Sequence, residues 1–173
     1  MNAAAQPGET FLYPGEWAFA GPDGRLATLL GSCVSVIIWH PRRLLGGMCH
    51  YLLPTRGRPS KTLDARYADE AMALLHTRLR AHGTQPQDYE FRLIGGGTMF
   101  ASTGISPHTA PGPRNIEAGL SLAARYGFRI HAQDLGGAIH RFVRFDVASG
   151  GVHVRRSDME RPHHPTCDPS KYW

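Results

Sequence analysis

Two apolar runs, each closed by a proline, set the main constraint on this chain: VSVIIWHP at residues 34–41 and LLGGMCHYLLP at residues 44–54. The VSVIIW portion is β-branched and aromatic and reads as a buried strand that Pro41 ends. The run from Leu44 to Leu53 reads as a second strand, closed by Pro54. Between them stands only the polar turn HPRR. A connection this short favours an antiparallel pair, because parallel strands need a crossover of about a dozen residues.

The rest of the chain is arranged around that pair. Residues 1–24 are irregular, broken by Pro7, Gly8, Pro14, Gly15, Gly21, Pro22 and Gly24, with Glu16 to Ala20 as a short edge strand. Over residues 64–82 the period becomes helical: Ala68, Ala71, Met72, Leu75 and Leu79 recur at spacings of three and four. Asp64, Asp69 and Glu70 suit the positive helix start, and Gly83 suits its end. Glu90 to Ile94 reads as a strand running into the turn Gly95-Gly96-Gly97. A second helix is expected from Arg114 to Tyr126, with Pro113 near its first turn and Gly127 past its end. Three strands follow, FRIHAQD, IHRFVRFDV and GVHVRR, the last two joined by the hairpin signal ASGG. The order strands, helix, strand, helix, strands predicts an α+β fold of mixed, largely antiparallel β-sheets covered by two main helices. It fits a doubly wound nucleotide-binding fold poorly. We expect one domain over residues 1–173, with a core at 10–156 and a C-terminal tail at 157–173.

A chain of 173 residues can bury a sizeable core without a metal or disulfide staple. Its 42% hydrophobic content is too high for a disordered chain. Nineteen basic against fourteen acidic residues leave a net charge of +5, nearly all of it from dispersed Arg. Such an excess suits an acidic protein partner as readily as nucleic acid, so charge alone names no partner. Cys33, Cys49 and Cys167 are odd in number and show no CxxC pairing. With no secretory start and no run of about 20 apolar residues, a cytoplasmic location is expected.

Cys33 follows Gly31 and Ser32 and immediately precedes the first strand. Gly31 permits a tight turn, and amides entering the strand could meet an anion. His50 lies in the second strand, so antiparallel pairing could bring imidazole and thiol together. Free cysteine is only a few per cent thiolate at neutral pH, and a neighbouring His⁺ or free amides would raise that fraction. A fall of about two pKa units would gain roughly thirtyfold in nucleophile. The alternative is that Cys33 is a small buried hydrophobe and His50 a structural histidine. Spacing leaves both readings open.

The wording of the sequence goes further. The stretch TLLGSCVSVIIWHP…GGMCHYLLP resembles the CheD family, the chemoreceptor glutamine deamidases of bacterial chemotaxis. The likeness continues through YADEAM, LIGGGTMF, GPRNIEA and AQDLGGAIHRFVRFDVASGGVHVRR, in family order over about residues 10–156. The resemblance implies hydrolysis of selected glutamine side chains on receptor cytoplasmic helices to glutamate and ammonia, without metal or organic cofactor. It matches the family's nucleophilic cysteine to Cys33 and its general-base histidine to His50. The family's third residue is a threonine that orients the histidine, six positions before the cysteine. Here position 27 is Ala, and Thr28 lies five before Cys33, so either Thr28 takes the role through a turn one residue shorter, or the triad is incomplete and Thr28 is a satisfied strand hydroxyl. Amides near Ser32 and Cys33 are expected to hold the oxyanion, which makes Ser32 a substrate-binding position. Implied partners are chemoreceptor cytoplasmic domains, to whose carboxylates the Arg excess could dock, and a CheC-type phosphatase.

Other features carry less chemistry. Alternation along the strand turns Cys49 away from His50 and into a core. His163, His164 and Cys167 resemble metal ligands in type but sit in a proline-rich tail. Gly95-Gly96-Gly97-Thr98 lacks the P-loop lysine and reads as a structural turn or a cleft wall. Arg114-Asn115 serves the opening of the second helix, and Asp134 with Gly136-Gly137 forms a turn. Rival readings are a non-catalytic receptor or CheC-binding adaptor, a receptor glutamyl methylesterase and, last, a nucleic-acid-binding module.

Overall fold

The computed structural model describes residues 8–98 and 109–158. The strands are β1 (Thr10–Phe11), β2 (Trp17–Ala20), β3 (Arg25–Leu30), β4 (Val34–His40), β5 (Leu45–Tyr51), β6 (Glu90–Gly95), β7 (Ile130–Leu135), β8 (Ile139–Asp146) and β9 (Gly151–Asp158). Two helices, α1 (Ala68–Ala81) and α2 (Pro111–Tyr126), flank β6 in the chain. The strands form two sheets, a five-stranded one in the order β2-β5-β4-β6-β7 and a four-stranded one in the order β1-β3-β8-β9. This is the expected α+β fold, built in three layers.

The layers follow from alternation in the central strands. Val34, Val36 and Ile38 of β4 and Cys49 and Tyr51 of β5 pack on Met72, Leu75 and Leu79 of α1 and Leu122 and Ala123 of α2. On the other face, Ile37 and Met48 meet Leu26 and Leu30 of β3 and Val143 and Phe145 of β8. Because both faces of β4 are covered, its sequence shows the near-continuous apolar run rather than a polar alternation. Glycine lets the layers close: a Cβ on Gly46 would stand 2.6 Å from the Phe145 ring, and one on Gly47 2.8 Å from Leu75.

The β4–β5 pair is antiparallel as expected, with Val34 opposite Tyr51, Ser35 opposite His50 and Val36 opposite Cys49. Strand β2 is the edge of its sheet, and β8–β9 is an antiparallel hairpin. Three boundaries move. Helix α1 begins at Ala68, four residues after Asp64, because the preceding segment is tied to the exit of β5: Leu52 and Leu53 both donate to the Arg66 carbonyl, and Tyr67 bridges Leu53. Helix α2 starts at Pro111, a residue whose fixed φ suits a first turn. Strand β9 continues to Asp158 because Ser157 and Asp158 pair with His140 and Ile139.

Two strands lay unrecognised in the sequence. LATLL, ahead of Gly31, forms β3 and pairs along its full length with β8. Thr10–Phe11, inside the irregular stretch, adds to β3 in parallel. Among the described residues no helix is long and apolar enough to cross a membrane.

Candidate active site

His50 is held from three directions. Its main chain is clamped by the loop before β2, with Gly15 N–H donating to the His50 carbonyl at 2.8 Å and His50 N–H to the Glu16 carbonyl at 2.9 Å. Its ring faces the second sheet, where Thr28 stands between the core residues Leu26 and Leu30. Thr28 is wholly buried, and its Oγ1 lies 2.7 Å from His50 Nδ1 and 2.7 Å from the Leu12 carbonyl oxygen.

Those two distances fix the tautomer. A carbonyl can only accept, so the single Thr28 hydroxyl proton goes to Leu12. The Oγ1 lone pair must then accept from His50, which places the imidazole proton on Nδ1. Nε2 is left as the basic nitrogen, buried and without a hydrogen-bond partner among the described residues. The sequence offset at Thr28 is therefore no obstacle to contact: β3 ends at Leu30, and its even positions face His50 across the gap between the sheets.

Cys33 immediately precedes β4 and packs on the same side of the sheet as Ile37 and Met48. With Ser35 directly opposite His50, Cys33, two residues earlier on the same face, is the diagonal neighbour of the imidazole, a position at which backbones ordinarily stand roughly 7–8 Å apart. The thiol is half-buried, the imidazole almost wholly so. No bond yet joins Nε2 to a partner, and catalytic contacts of this kind often tighten only when substrate is bound.

The loop carrying Cys33 is gripped by all three of its carbonyls. Gly97 N–H donates to Gly31 O at 2.8 Å, Asn115 Nδ2 to Ser32 O at 3.2 Å, and Gly96 N–H to Cys33 O at 2.8 Å. The triple-glycine turn is thus the brace of this loop. Gly95 has φ +121°, and a Cβ there would stand 2.3 Å from the Cys33 carbonyl oxygen. No residue with a side chain could approach so closely.

Electrostatics at the pair differ from the sequence expectation in direction. Burial pushes the Cys33 thiol up, and no cation among the described residues offsets it. Burial also lowers His50, to about 4, against the opposing pull of the Leu12 carbonyl and Glu16. The resting pair is therefore neutral thiol and neutral imidazole rather than thiolate and His⁺.

Cys49 is wholly buried on the helix side of its sheet, with its thiol pushed up to about 12 by burial. Asp134 does more than end a strand: it receives Arg141 and Arg156, one on each carboxylate oxygen. Arg25, Arg56, Arg66, Arg92 and Arg144 are likewise in ion pairs, so much of the Arg excess is spent within the fold. His163, His164 and Cys167 lie outside the described residues. Among those described, no cluster of His, Cys, Asp and Glu is arranged to hold a metal ion.

Two polar groups at the site escaped the sequence reading. Ser35 is wholly buried opposite His50 with its Oγ unpartnered, and its signal was a lone hydroxyl inside an otherwise apolar strand. Asn115 was read as part of a helix opening, which is its position but not its reach. Its Nδ2 also donates to Leu52 O at 2.7 Å, and its own carbonyl accepts from Tyr51 Oη at 2.6 Å.

Comparison with known proteins gives the family. Residues 52–156 match the family described as CheD, chemotactic sensory transduction. A protein of Pseudomonas savastanoi pv. phaseolicola named "Probable chemoreceptor glutamine deamidase CheD" is 45% identical over 161 residues, covering 92% of this chain and 91% of its own. A Chromobacterium violaceum protein named "Probable chemoreceptor glutamine deamidase CheD 1" is 43% identical over 162 residues, covering 89% and 82%. A Leptospira interrogans protein with the same name is 35% identical over 166 residues, covering 90% and 94%. On the strength of the family match and of relatives aligned along nearly its whole length, this chain belongs to the CheD family.

Proposed function

We propose that this chain is a chemoreceptor glutamine deamidase, hydrolysing side-chain amides on receptor cytoplasmic helices to glutamate and ammonia, with Cys33 as nucleophile and His50 as base. The observation that carries the residue assignment is the fixed tautomer. A histidine whose Nδ1–H is bound by Thr28 presents a free Nε2 on the face that holds the only half-exposed thiol among the described cysteines.

The steps balance as follows. His50 Nε2 takes the Cys33 proton as sulfur attacks the glutamine carbonyl, and the negative oxygen of the tetrahedral intermediate is met by backbone amides at Ser32 and Cys33. Collapse expels ammonia, protonated by His50, and leaves a γ-glutamyl thioester. Water, deprotonated by the same imidazole, adds to the thioester, and the thiol returns as glutamate departs. The two neutral groups of the resting site suit this path, since a charged pair held in a desolvated pocket would need compensation from elsewhere.

Each conversion adds one negative charge to a receptor helix. We extend the reading to a cytoplasmic location, where those helices are, and to a CheC-type phosphatase as a second partner; the family resemblance supports both. The test is the intact mass of a purified receptor cytoplasmic fragment after incubation with this protein or with Cys33→Ala. Conversion of amide to acid by the unmutated protein alone is the expected result. Equal conversion by Cys33→Ala would remove the assignment. Methanol rather than ammonia from a methylated fragment would favour the methylesterase reading.

A further inference from the structure

Asn115 is the fifth residue of α2 and is wholly buried. Its side-chain amide has two N–H groups, and both go to carbonyls of other segments, Leu52 O at 2.7 Å and Ser32 O at 3.2 Å. One residue of α2 thereby ties the loop before Cys33 to Leu52, the residue that follows the strand carrying His50. Its Oδ1 is buried without a partner among the described residues, an unfavourable arrangement.

The consequence lies in peptide geometry. A trans peptide is planar, with its C=O and N–H pointing in opposite directions, and the described chain contains no cis bond. Whatever holds the Ser32 carbonyl therefore aims the Cys33 N–H. The neighbouring carbonyls of Gly31 and Cys33 are held by backbone donors, Gly97 N–H and Gly96 N–H. The Ser32–Cys33 peptide, by contrast, depends on a side chain.

We propose that Asn115 is a positioning residue for the oxyanion site: by binding the Ser32 carbonyl it fixes the direction in which the Cys33 N–H meets the negative oxygen of the tetrahedral intermediate. The inference rests on the reading of Cys33 as nucleophile. Its distinctive consequence is a split between two reactions of one thiol. Glutamine hydrolysis passes through an oxyanion, whereas alkylation by iodoacetamide is a displacement at carbon and needs no such site.

The experiment compares the full-length protein with Asn115→Ala and Asn115→Asp. Asp has nearly the volume of Asn, but its carboxyl offers at most one proton where the amide donates two, so it cannot hold both the Leu52 and Ser32 carbonyls. Loss of an oxyanion donor costs about 10²–10³ in kcat, and misdirecting a donor that is still present should cost less, about 10–100-fold. We expect that loss in kcat for receptor-fragment deamidation, with KM and the rate of Cys33 alkylation within about threefold of the unmutated protein. Unchanged kcat would overturn the proposal, as would a parallel fall in alkylation, which would mean that Asn115 merely keeps the loop folded. Cys33→Ala separates the two levels: if it still deamidates, the nucleophile reading fails. If it is inert while Asn115→Ala is fully active, only the present inference fails. Should Asn115→Ala not fold, the Asp variant carries the same comparison.

Discussion

Replacing Thr28 by Val isolates what its hydroxyl does for His50. Valine has the same branched shape and suits a buried strand, so β3 and its pairing with Val143 should persist. What disappears is one oxygen that accepts from His50 Nδ1 at 2.7 Å and donates to Leu12 O at 2.7 Å. Without it the neutral ring loses its bias toward the Nδ1–H tautomer, and part of the population presents a protonated Nε2 that cannot act as base. Where an anionic carboxylate holds a catalytic histidine, removing that charge costs about 10⁴ in kcat. Here the partner is a neutral hydroxyl, and the Leu12 carbonyl remains near the same ring edge. One ordinary hydrogen bond, about 0.5–1.5 kcal/mol, sets the scale, and its upper end is about tenfold in rate. We therefore expect Thr28→Val to lower kcat for receptor-fragment deamidation about tenfold, KM little, and Tm by a few degrees. Thr28→Ser, which restores the hydroxyl, should recover most of the loss. Thr28→Val turning over at the unmutated rate would refute the orienting role, whatever its effect on stability.

Two further outcomes follow from the protonation states. Because burial raises the Cys33 thiol, its alkylation rate should climb steadily through neutral pH and past about 9, read against Cys33→Ala to remove any signal from the other cysteines. A plateau near neutrality would mean a resting thiolate–imidazolium pair. His50 falls from an ordinary 6.5 to about 4 on folding, so between those values the unfolded chain binds a proton that the folded one refuses. Stability from this group is then full above about 6.5 and is lost as pH drops toward 4, by about 3 kcal/mol. Urea unfolding across that range should show the slope, and His50→Gln should flatten it. An unchanged slope in the variant would assign the effect to other groups.

What the sequence made legible was what is local along the chain. VSVIIWHP and LLGGMCHYLLP carry their own stops and a connection too short for a crossover, so their antiparallel pairing follows, and with it Cys49 turned away from His50 into a core. The second sheet was not legible, because its pairings are not local. LATLL becomes a strand only when IHRFVRFD arrives from more than a hundred residues away, and Thr10–Phe11 has no strand character until β3 lies beside it. The same distinction explains the site. Counting residues from Thr28 to Cys33 raised a difficulty that does not exist in space, since the two belong to different sheets and Thr28 reaches His50 across the layer between them. Asn115 is the converse case. Its local reading, at a helix start, is correct, yet its hydrogen bonds end on Ser32 and Leu52, residues that only the packing of α2 against β4 and β5 brings within reach. The proposed nucleophile and base were suggested by the family wording around them, but the groups that would aim them are chosen by tertiary contact. For that reason the orienting residues, Thr28 and Asn115, are where substitution should separate catalysis from folding.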